Sequence, residues 1–276
     1  IRNMIDKLLE EIIQKECPGN EVAVLLSGGV DSNTLLFTAN RLGKKVHGYS
    51  FQLKNQPTYD SKTAGAICEQ FNFDFTLVEV PTDNLENDFK TLANKYKCKK
   101  KTQFECTFPF MYMYPQIKEK YVLSGVAADG HYGVSKRAMM HFRHTKDKFD
   151  KFRKDYFGTE NPAGIRQLEI LSEEHNKVLS APYLNQKVFD YFLQFDWEGI
   201  NKPYEKHLIR KQFTEFDNLK LKNHLNLQLV AGVDKEFETL LNNNVINFKN
   251  RKRVMDICRD WANNKQSTQT LNKFII

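Results

Sequence analysis

The chain has 276 residues, of which 41% are hydrophobic and 27% charged, a composition typical of a folded globular protein rather than a disordered one. No run approaches the roughly 18 uninterrupted apolar residues of a membrane-spanning helix, so none is expected. The net charge of +7 favours anionic partners such as a nucleotide, a nucleic acid or a phosphorylated substrate. The five cysteines, an odd number without close pairing, indicate reduced thiols and a cytoplasmic location.

Strands alternate with helices in the first half of the chain. Short apolar runs bounded by turn residues predict strands at 22–26, 46–53, 73–80 and 121–126. Apolar periodicity and capping residues predict helices at 2–15, at 32–42, from a cap at Asp60 or Ser61 through Phe71, and from a cap at Thr82 or Asp83 to about Tyr96. Because parallel strands need crossover connections, this alternation predicts an α/β protein with a parallel sheet and helices on both faces.

Beyond about residue 136 we expect strands to stop. The predicted helices of the second half are at 165–178, 186–195, 203–216, 234–242 and 250–263. The chain is therefore divided into an α/β core at residues 1–135 and a mainly helical region at residues 136–276.

The loop at residues 26–32 lies between the first predicted strand and the helix that follows it. In an open parallel sheet, ligands bind beyond the carboxyl ends of the strands, where a loop entering a helix offers unpaired N–H groups to an anion. Gly28 and Gly29 let the backbone approach that anion, and Ser27 and Ser32 add hydroxyl groups. Asp31 would repel a phosphate unless a cation such as Mg²⁺ lies between them. No lysine follows the glycines, so this is not the loop that binds γ-phosphates.

The sequence Ser-Gly-Gly-Val-Asp-Ser at residues 27–32 resembles the S-G-G-x-D-S pyrophosphate loop (PP-loop) of the ATP pyrophosphatases. That superfamily includes asparagine, GMP and NAD synthetases and tRNA-thiolating enzymes. Its members split ATP between the α and β phosphates, adenylate an oxygen of the substrate, and let a nucleophile displace AMP. The resemblance implies a fold like that of the adenine nucleotide α-hydrolases, with residues 136–276 completing the substrate side.

Further stretches resemble the synthetase domain of asparagine synthetases. Residues 108–112 resemble a T-P-M-Y segment, 122–130 resemble V-L-S-G-E-G-A-D-E, 181–185 resemble R-x-P-F-L-D, and 206–210 resemble a K-Y-x-L-R helix. The resemblance implies that Asp31 and Asp129 hold Mg²⁺, and that Asp31 also takes part in catalysis. It implies ATP binding by Leu26, Ser27, Gly28, Gly29, Asp31, Ser32, Phe51, Ser124 and Gly125, with Phe51 at the adenine position.

The chain departs from this family where the acceptor would bind. Val126 and Gly130 replace the two glutamates of the V-L-S-G-E-G-A-D-E motif, and Asn185 replaces an aspartate. The family's late catalytic lysine has no clean match, and Lys222 is the best assignment, with His224 second. The glutaminase domain of asparagine synthetases is absent from these residues, so ammonia is expected free or from a separate glutaminase, unless the nucleophile is another amine.

Two other features allow different functions. Residues 136–154 are rich in Lys and Arg, which indicates either a platform for nucleic acid or a solvated loop, and the loop is favoured. His141 and His144 within this run make a poor metal site. Cys98 and Cys106 flank Lys99 to Lys101, and such lysines would lower a thiol's pKa and suit a sulfur carrier, although chance neighbours are the preferred interpretation. Residues 249–253 are interpreted as a solvated helix face.

We therefore predict an ATP- and Mg²⁺-dependent ligase that resembles asparagine synthetases, adenylates a carboxylate or amide oxygen, and transfers an amine or ammonia to it. The acceptor is a small molecule or a nucleic acid. One alternative is modification or thiolation of tRNA or DNA, and another is a non-catalytic nucleotide-binding protein.

Overall fold

The computed structural model describes residues 4–219, 221 and 231–244, and a parallel sheet of five strands lies at its centre. The strands are β1 (Glu21–Leu25), β2 (Lys45–Leu53), β3 (Asp74–Val80), β4 (Tyr121–Ser124) and β5 (Val178–Ser180). Their spatial order is β3-β2-β1-β4-β5, and every neighbouring pair is parallel. The order runs outward from β1 in both directions, so the carboxyl ends of β1 and β4 adjoin at the switch point where ligands bind in such sheets.

Helices surround this sheet. They are α1 (Ile5–Glu16), α2 (Val30–Arg41), α3 (Tyr59–Gln70), α4 (Leu85–Asn94), α5 (Lys101–Met113), α6 (Ala128–Tyr132), α7 (Lys136–His141), α8 (Lys146–Phe157), α9 (Ile165–Glu174), α10 (Gln186–Phe192), α11 (Trp197–Asn201), α12 (His207–Arg210) and α13 (Val233–Asn244). Short 3₁₀ turns lie at Tyr114–Gln116, Pro162–Gly164, Pro182–Leu184 and Thr214–Asn218. Among the described helices, none combines the length and the apolar character needed to cross a membrane.

Two hydrophobic cores lie on opposite faces of the sheet. Val22 and Val24 of β1 belong to the core beneath α1, α2 and α3, whereas Ala23 and Leu25 belong to the core beneath α4, α5 and α9. Since successive side chains of a strand point to opposite faces and both faces are covered, β1 is apolar from Val22 to Leu25. This arrangement confirms the predicted α/β class.

The four predicted strands and the predicted helices between them are present. Several predictions about the ends of these elements are wrong. The cap of α3 is Thr58, whose hydroxyl accepts from the N–H of Ser61, rather than Asp60 or Ser61. Helix α4 begins after Asn84 without a side-chain cap, so neither Thr82 nor Asp83 caps it. Helix α5 was not predicted, since Pro109 interrupts its sequence pattern.

The expectation that strands stop near residue 136 is also wrong. Strand β5 falls where the predicted helix 165–178 was to end, and it pairs with β4 at the edge of the sheet. Its three residues are too few to show a period of two. Of the predicted helix 203–216, the structure forms only α12 and the start of a 3₁₀ turn, whereas α13 confirms the helix at 234–242. The predicted helix 250–263 lies outside the described residues, and the division at residue 135 stays a prediction.

The basic run at 136–154 is helical rather than a loop, and one of its cations is a core residue. The side chain of Arg153 in α8 is fully buried beside the ring of Phe149, with 4.0 Å between guanidinium carbon and ring centroid. Its guanidinium donates to the carbonyl oxygens of Phe192 (2.6 Å) and Phe195 (2.8 Å) and pairs with Asp150. Arg153 therefore fastens α8 to the end of α10.

Replacing Arg153 should destabilise the protein far more than replacing its neighbour. Arg153→Ala leaves two carbonyl groups and one carboxylate without their buried partner, which should lower the free energy of unfolding by about 3–5 kcal/mol. Lys154→Ala, an exposed control on the same helix, should change it by less than about 0.5 kcal/mol. Urea unfolding of the two variants measures both values, and equal effects would contradict the anchoring role of Arg153.

Candidate active site

The phosphate loop joins β1 to α2 and is closed by its own hydroxyl groups. The Ser32 hydroxyl accepts from the N–H of Ser27 (3.2 Å), and the two serine hydroxyls lie 3.2 Å apart. Helix α2 begins at Val30 after Gly29, which has no side chain with which to cap it. The first-turn N–H groups of α2 are therefore not used by a side-chain cap, and this is the arrangement that binds anions at helix N-termini.

Gly28 is required by the shape of this loop. Its φ of +73° lies in the left-handed region, which favours glycine. A Cβ at this position would also lie 3.0 Å from the carbonyl oxygen of Asp60 and 3.1 Å from the backbone nitrogen of Ala64. The loop can thus fold directly against the start of α3 only with glycine at this position.

One cavity of about 520 Å³ lies over the carboxyl ends of β1, β2 and β4. Its lining includes every predicted nucleotide-binding residue: Leu26, Ser27, Gly28, Gly29, Asp31, Ser32, Phe51, Ser124 and Gly125. Asp129 lines it as well. The structure therefore brings these residues together, although their binding of ATP stays a prediction. The other predicted catalytic residue, Lys222, and its alternative His224 lie outside the described residues.

Lys206 completes the polar centre of the cavity. Its Nζ lies 2.8 Å from Oδ2 of Asp31 and 2.9 Å from Oδ1 of Asp129. Only 5% of the Lys206 side chain is exposed, whereas 36% of the Asp129 side chain is. Burial alone would lower the pKa of Lys206, but the carboxylates of Asp129 and Asp31 outweigh it and raise that pKa. Lys206 is therefore a permanent cation between the two carboxylates predicted to hold magnesium.

Backbone contacts hold Lys206 in this place. It adopts a left-handed conformation, with φ of +59°, just before α12. Its N–H donates to Oδ1 of Asn201 (3.1 Å), whose amide group donates to the carbonyl of Tyr132 at the end of α6 (2.9 Å). Its ammonium also lies 5.0 Å from the centroid of the Tyr132 ring. The resemblance to the K-Y-x-L-R motif covers Lys206 without assigning it a role, and that motif was the signal that could have identified it.

Asp31 and Asp129 suit a magnesium ion. Both carboxylates contact a single cation, the Lys206 ammonium, so their oxygens converge on one region. Magnesium is commonly held by one or two carboxylates together with phosphate oxygens and water, and two carboxylates are what this site offers. Within the described ranges, no group of three His, Cys, Asp or Glu side chains is placed to hold a metal ion. The remaining ligands would come from the phosphates and water.

Cys106 lines the same cavity, but its environment is the opposite of the one predicted from its lysine neighbours. Burial, with a further contribution from the Glu105 carboxylate, raises the pKa of its thiol to about 12. Cys98 is buried in the core beneath α4 and α5 and does not line the cavity. The prediction that neighbouring lysines lower the pKa of a thiol here is therefore wrong for Cys106.

Cys106 should consequently react slowly with alkylating reagents. With a pKa of about 12, its thiolate fraction at pH 7.5 is on the order of 10⁻⁴ to 10⁻⁵, against roughly one in ten for an ordinary thiol. Its rate of alkylation by iodoacetamide should rise about tenfold per pH unit between pH 7 and pH 9. Mass spectrometry of the Cys106 peptide measures this rate, and the urea-unfolded chain is the control. Equal rates for folded and unfolded protein would contradict the shift.

Some of the Lys and Arg side chains in the basic run at 136–154 are paired with carboxylates or buried. Lys146 pairs with Asp150 (2.5 Å) and Lys151 pairs with Asp155 (3.1 Å), each one helical turn away. Arg153 is buried, as described above. His144 bonds the carbonyl of Met140 (3.1 Å) in a local contact and lines no part of the large cavity. These pairings weigh against a continuous nucleic-acid platform on α8.

The fold and the loop at residues 27–32 are those of the PP-loop class of ATP-utilising synthetases. The family model described as asparagine synthase matches residues 4–180, more than half of the chain. The chain belongs to the asparagine synthase family. Part of it is also 36% identical over 63 residues to a 7-cyano-7-deazaguanine synthase from Alteromonas mediterranea. That match covers 23% of this chain and 29% of the relative, so the chain spans less than a third of that protein's length.

Solved structures overlap the chain only loosely. An NMN synthetase from Francisella tularensis has a TM-score of 0.36 at 13% identity, covering 80% of this chain and 97% of that chain. An NH3-dependent NAD synthetase from Campylobacter jejuni has a TM-score of 0.34 at 13% identity, covering 80% and 96%. A predicted subunit of tRNA methyltransferase from Methanocaldococcus jannaschii has a TM-score of 0.36 at 14% identity, covering 63% and 75%. Likenesses of this size say nothing about substrate.

Proposed function

We propose that this protein uses ATP and Mg²⁺ to adenylate a carboxylate or amide oxygen of an acceptor, releases pyrophosphate, and then transfers ammonia or another amine to the activated carbon. The family supplies ATP-dependent ligase chemistry, and Val126 and Gly130 argue for an acceptor other than that of asparagine synthetases. The name of the partly matching 7-cyano-7-deazaguanine synthase also specifies a product other than asparagine.

The observation that carries this proposal is the single cavity that contains both the phosphate loop and an acceptor region. Asp31, Asp129 and Lys206 line it near the loop. Beyond them the lining continues into residues outside the loop. These include Val126, Tyr156, Asn161 and Leu168. We place the second substrate in this region, beside the α-phosphate of a nucleotide whose phosphates lie on the loop, as an adenylating enzyme requires.

The chain's own groups would stabilise the charge that develops on pyrophosphate. The N–H groups at the start of α2 and the hydroxyls of Ser27 and Ser32 would hold the β and γ phosphates. The ammonium of Lys206, held between the carboxylates of Asp31 and Asp129, is a preorganised cation at the edge of that loop, so it needs no reorganisation during the reaction. Magnesium, when bound by Asp31 and Asp129, would neutralise phosphate charge and favour departure of pyrophosphate.

Adenylation would begin with attack of the acceptor oxygen on the α-phosphorus and cleavage of its bond to the β-phosphate oxygen. The amine would then attack the acceptor carbon, and AMP would leave with the activated oxygen while the nitrogen loses a proton. Ammonia would arrive free or from a separate glutaminase in the cytoplasm. The free cysteines among the described residues are consistent with a reducing compartment.

Phosphorus NMR distinguishes this reaction from other uses of ATP. We expect AMP and pyrophosphate when the protein, ATP, Mg²⁺ and ammonium are incubated with one of several acceptor pools. Lys206→Met and Asp31→Ala should each lower AMP formation by about 100-fold or more, since each removes a charge next to the phosphates. Lys211→Met is the matched control, because Lys211 lies at the end of α12 and does not line the cavity.

The nature of the products decides between the functions. Formation of ADP and phosphate would contradict cleavage between the α and β phosphates. Tight binding of ATP and Mg²⁺ without turnover in any pool would instead support a non-catalytic nucleotide-binding protein. Equal losses in Lys206→Met and Lys211→Met would remove the role assigned to the buried lysine.

The second candidate function is thiolation or another modification of tRNA or DNA, because Cys106 does line the cavity. Its raised pKa makes it a poor nucleophile, which is why we prefer amide formation. Cys106→Ser would abolish a modification that passes through sulfur on this residue and would leave amide formation within about twofold of wild type. Mass spectrometry of nucleosides from tRNA incubated with each protein measures the first, and AMP release measures the second.

A further inference from the structure

Gly130 differs from the family's glutamate for a reason that is visible in the packing of α6. A Cβ at this position would lie 2.4 Å from Cε1 and 2.5 Å from Cδ1 of Tyr156. Real Cβ atoms do not approach other atoms so closely, so any side chain at residue 130 would have to displace the ring. The Tyr156 ring, at the last turn of α8, therefore occupies the space that a side chain at this motif position would enter.

Tyr156 is firmly placed. Helix α8 is anchored by Arg153, and the Tyr156 ring contacts the rings of Phe157 (centroids 5.0 Å apart) and Phe152 (6.2 Å). The ring lines the cavity together with Asp129. Burial and the Asp129 carboxylate raise the pKa of Tyr156 to about 12, so it presents a neutral phenol at physiological pH. The part of the cavity surface that Tyr156 forms is thus an uncharged aromatic ring.

The other replaced glutamate of the motif also leaves an uncharged surface in the cavity. Val126, at the other glutamate position of the motif, lines the cavity and packs against the core beneath α4 and α5. Leu168 of α9 extends this apolar surface. Asp31, Asp60, Asp129 and Glu205 also line the cavity, at positions other than the two glutamates of the motif. No carboxylate therefore stands at either glutamate position of the motif to pair with an ammonium group of the acceptor.

We propose that Tyr156 and Val126 form the specificity wall of the acceptor site, and that the acceptor is a carboxylic acid with a planar aromatic body and no ammonium group near its reacting end. This rests on the proposed function, because it takes the reacting oxygen to be that of a carboxylate. A planar ring can pack against the face or edge of Tyr156, and such pairs are favoured beyond the area that they bury. The ammonium group of an amino acid such as aspartate would find neither glutamate of the motif on this surface.

Binding of small acids to the nucleotide-loaded protein tests the proposal. The protein is saturated with Mg²⁺ and α,β-methylene-ATP, which cannot be cleaved between those phosphates. Calorimetry then compares indole-3-carboxylate, cyclohexanecarboxylate and L-aspartate. We expect indole-3-carboxylate to bind about tenfold more tightly than the other two. Tyr156→Ala should weaken its binding about tenfold, and Tyr156→Phe, which keeps the ring, should change it by less than twofold.

Two further variants separate the wall from general damage to α8. Lys154→Ala changes an exposed residue of the same helix that does not line the cavity, so it should leave indole-3-carboxylate binding unchanged. Gly130→Ala should weaken it about as much as Tyr156→Ala, because the added methyl group displaces the ring. In a Tyr156→Ala background the same methyl group should have little further effect.

Failure of this proposal can be told apart from failure of the proposed function. If L-aspartate binds as well as indole-3-carboxylate, or if Tyr156→Ala binds the aromatic acid like wild type, the acceptor wall is wrong. Absence of any aromatic-acid binding to the nucleotide-loaded protein overturns it too. Absence of α,β-methylene-ATP binding itself would instead overturn the proposed function.

Discussion

The buried ammonium of Lys206 is the contact on which the site depends. It joins the start of α2 through Asp31, the start of α6 through Asp129, and the segment before α12, three parts of the chain that are far apart in sequence. Two carboxylates this close would repel each other in a partly buried cavity without a cation between them. The protein thus carries its own counter-ion, and a bound metal ion would offset part of the negative charge of a polyphosphate.

Helix α8 is the part of the fold that makes this cavity different from a bare nucleotide site. Its buried face fixes it to α10 through Arg153, and its last turn delivers Tyr156 to the cavity. The phosphate loop and the cavity wall at Tyr156 therefore rest on different supports. The loop depends on β1, α2 and α3, whereas the wall depends on side-chain packing between α6 and α8.

Local patterns allowed the first four strands, their helices and the phosphate loop to be predicted, because turn residues bound each apolar run. Residues 136–154 were misinterpreted because charge dominates their composition, although Phe149, Phe152 and Tyr156 recur at helical spacing. The burial of Arg153 depends on carbonyls about 40 residues away, which no local pattern contains. Likewise, the motif at 206–210 was matched, but the contacts of Lys206 with two distant carboxylates are purely tertiary, as is the fit between Gly130 and Tyr156.

The placement of β5 and Lys206 late in the chain has a consequence for synthesis. Chains emerge from the ribosome amino end first, so the phosphate loop appears long before residues 180 and 206. The sheet cannot gain its fifth strand until residue 180 has emerged, and the pair Asp31 and Asp129 has no internal cation until residue 206 follows. The nascent protein therefore passes through a stage in which strands β1 to β4 can pair while the site still holds two facing negative charges. Electrostatic balance therefore reaches this cavity only after both of its carboxylates have been synthesised.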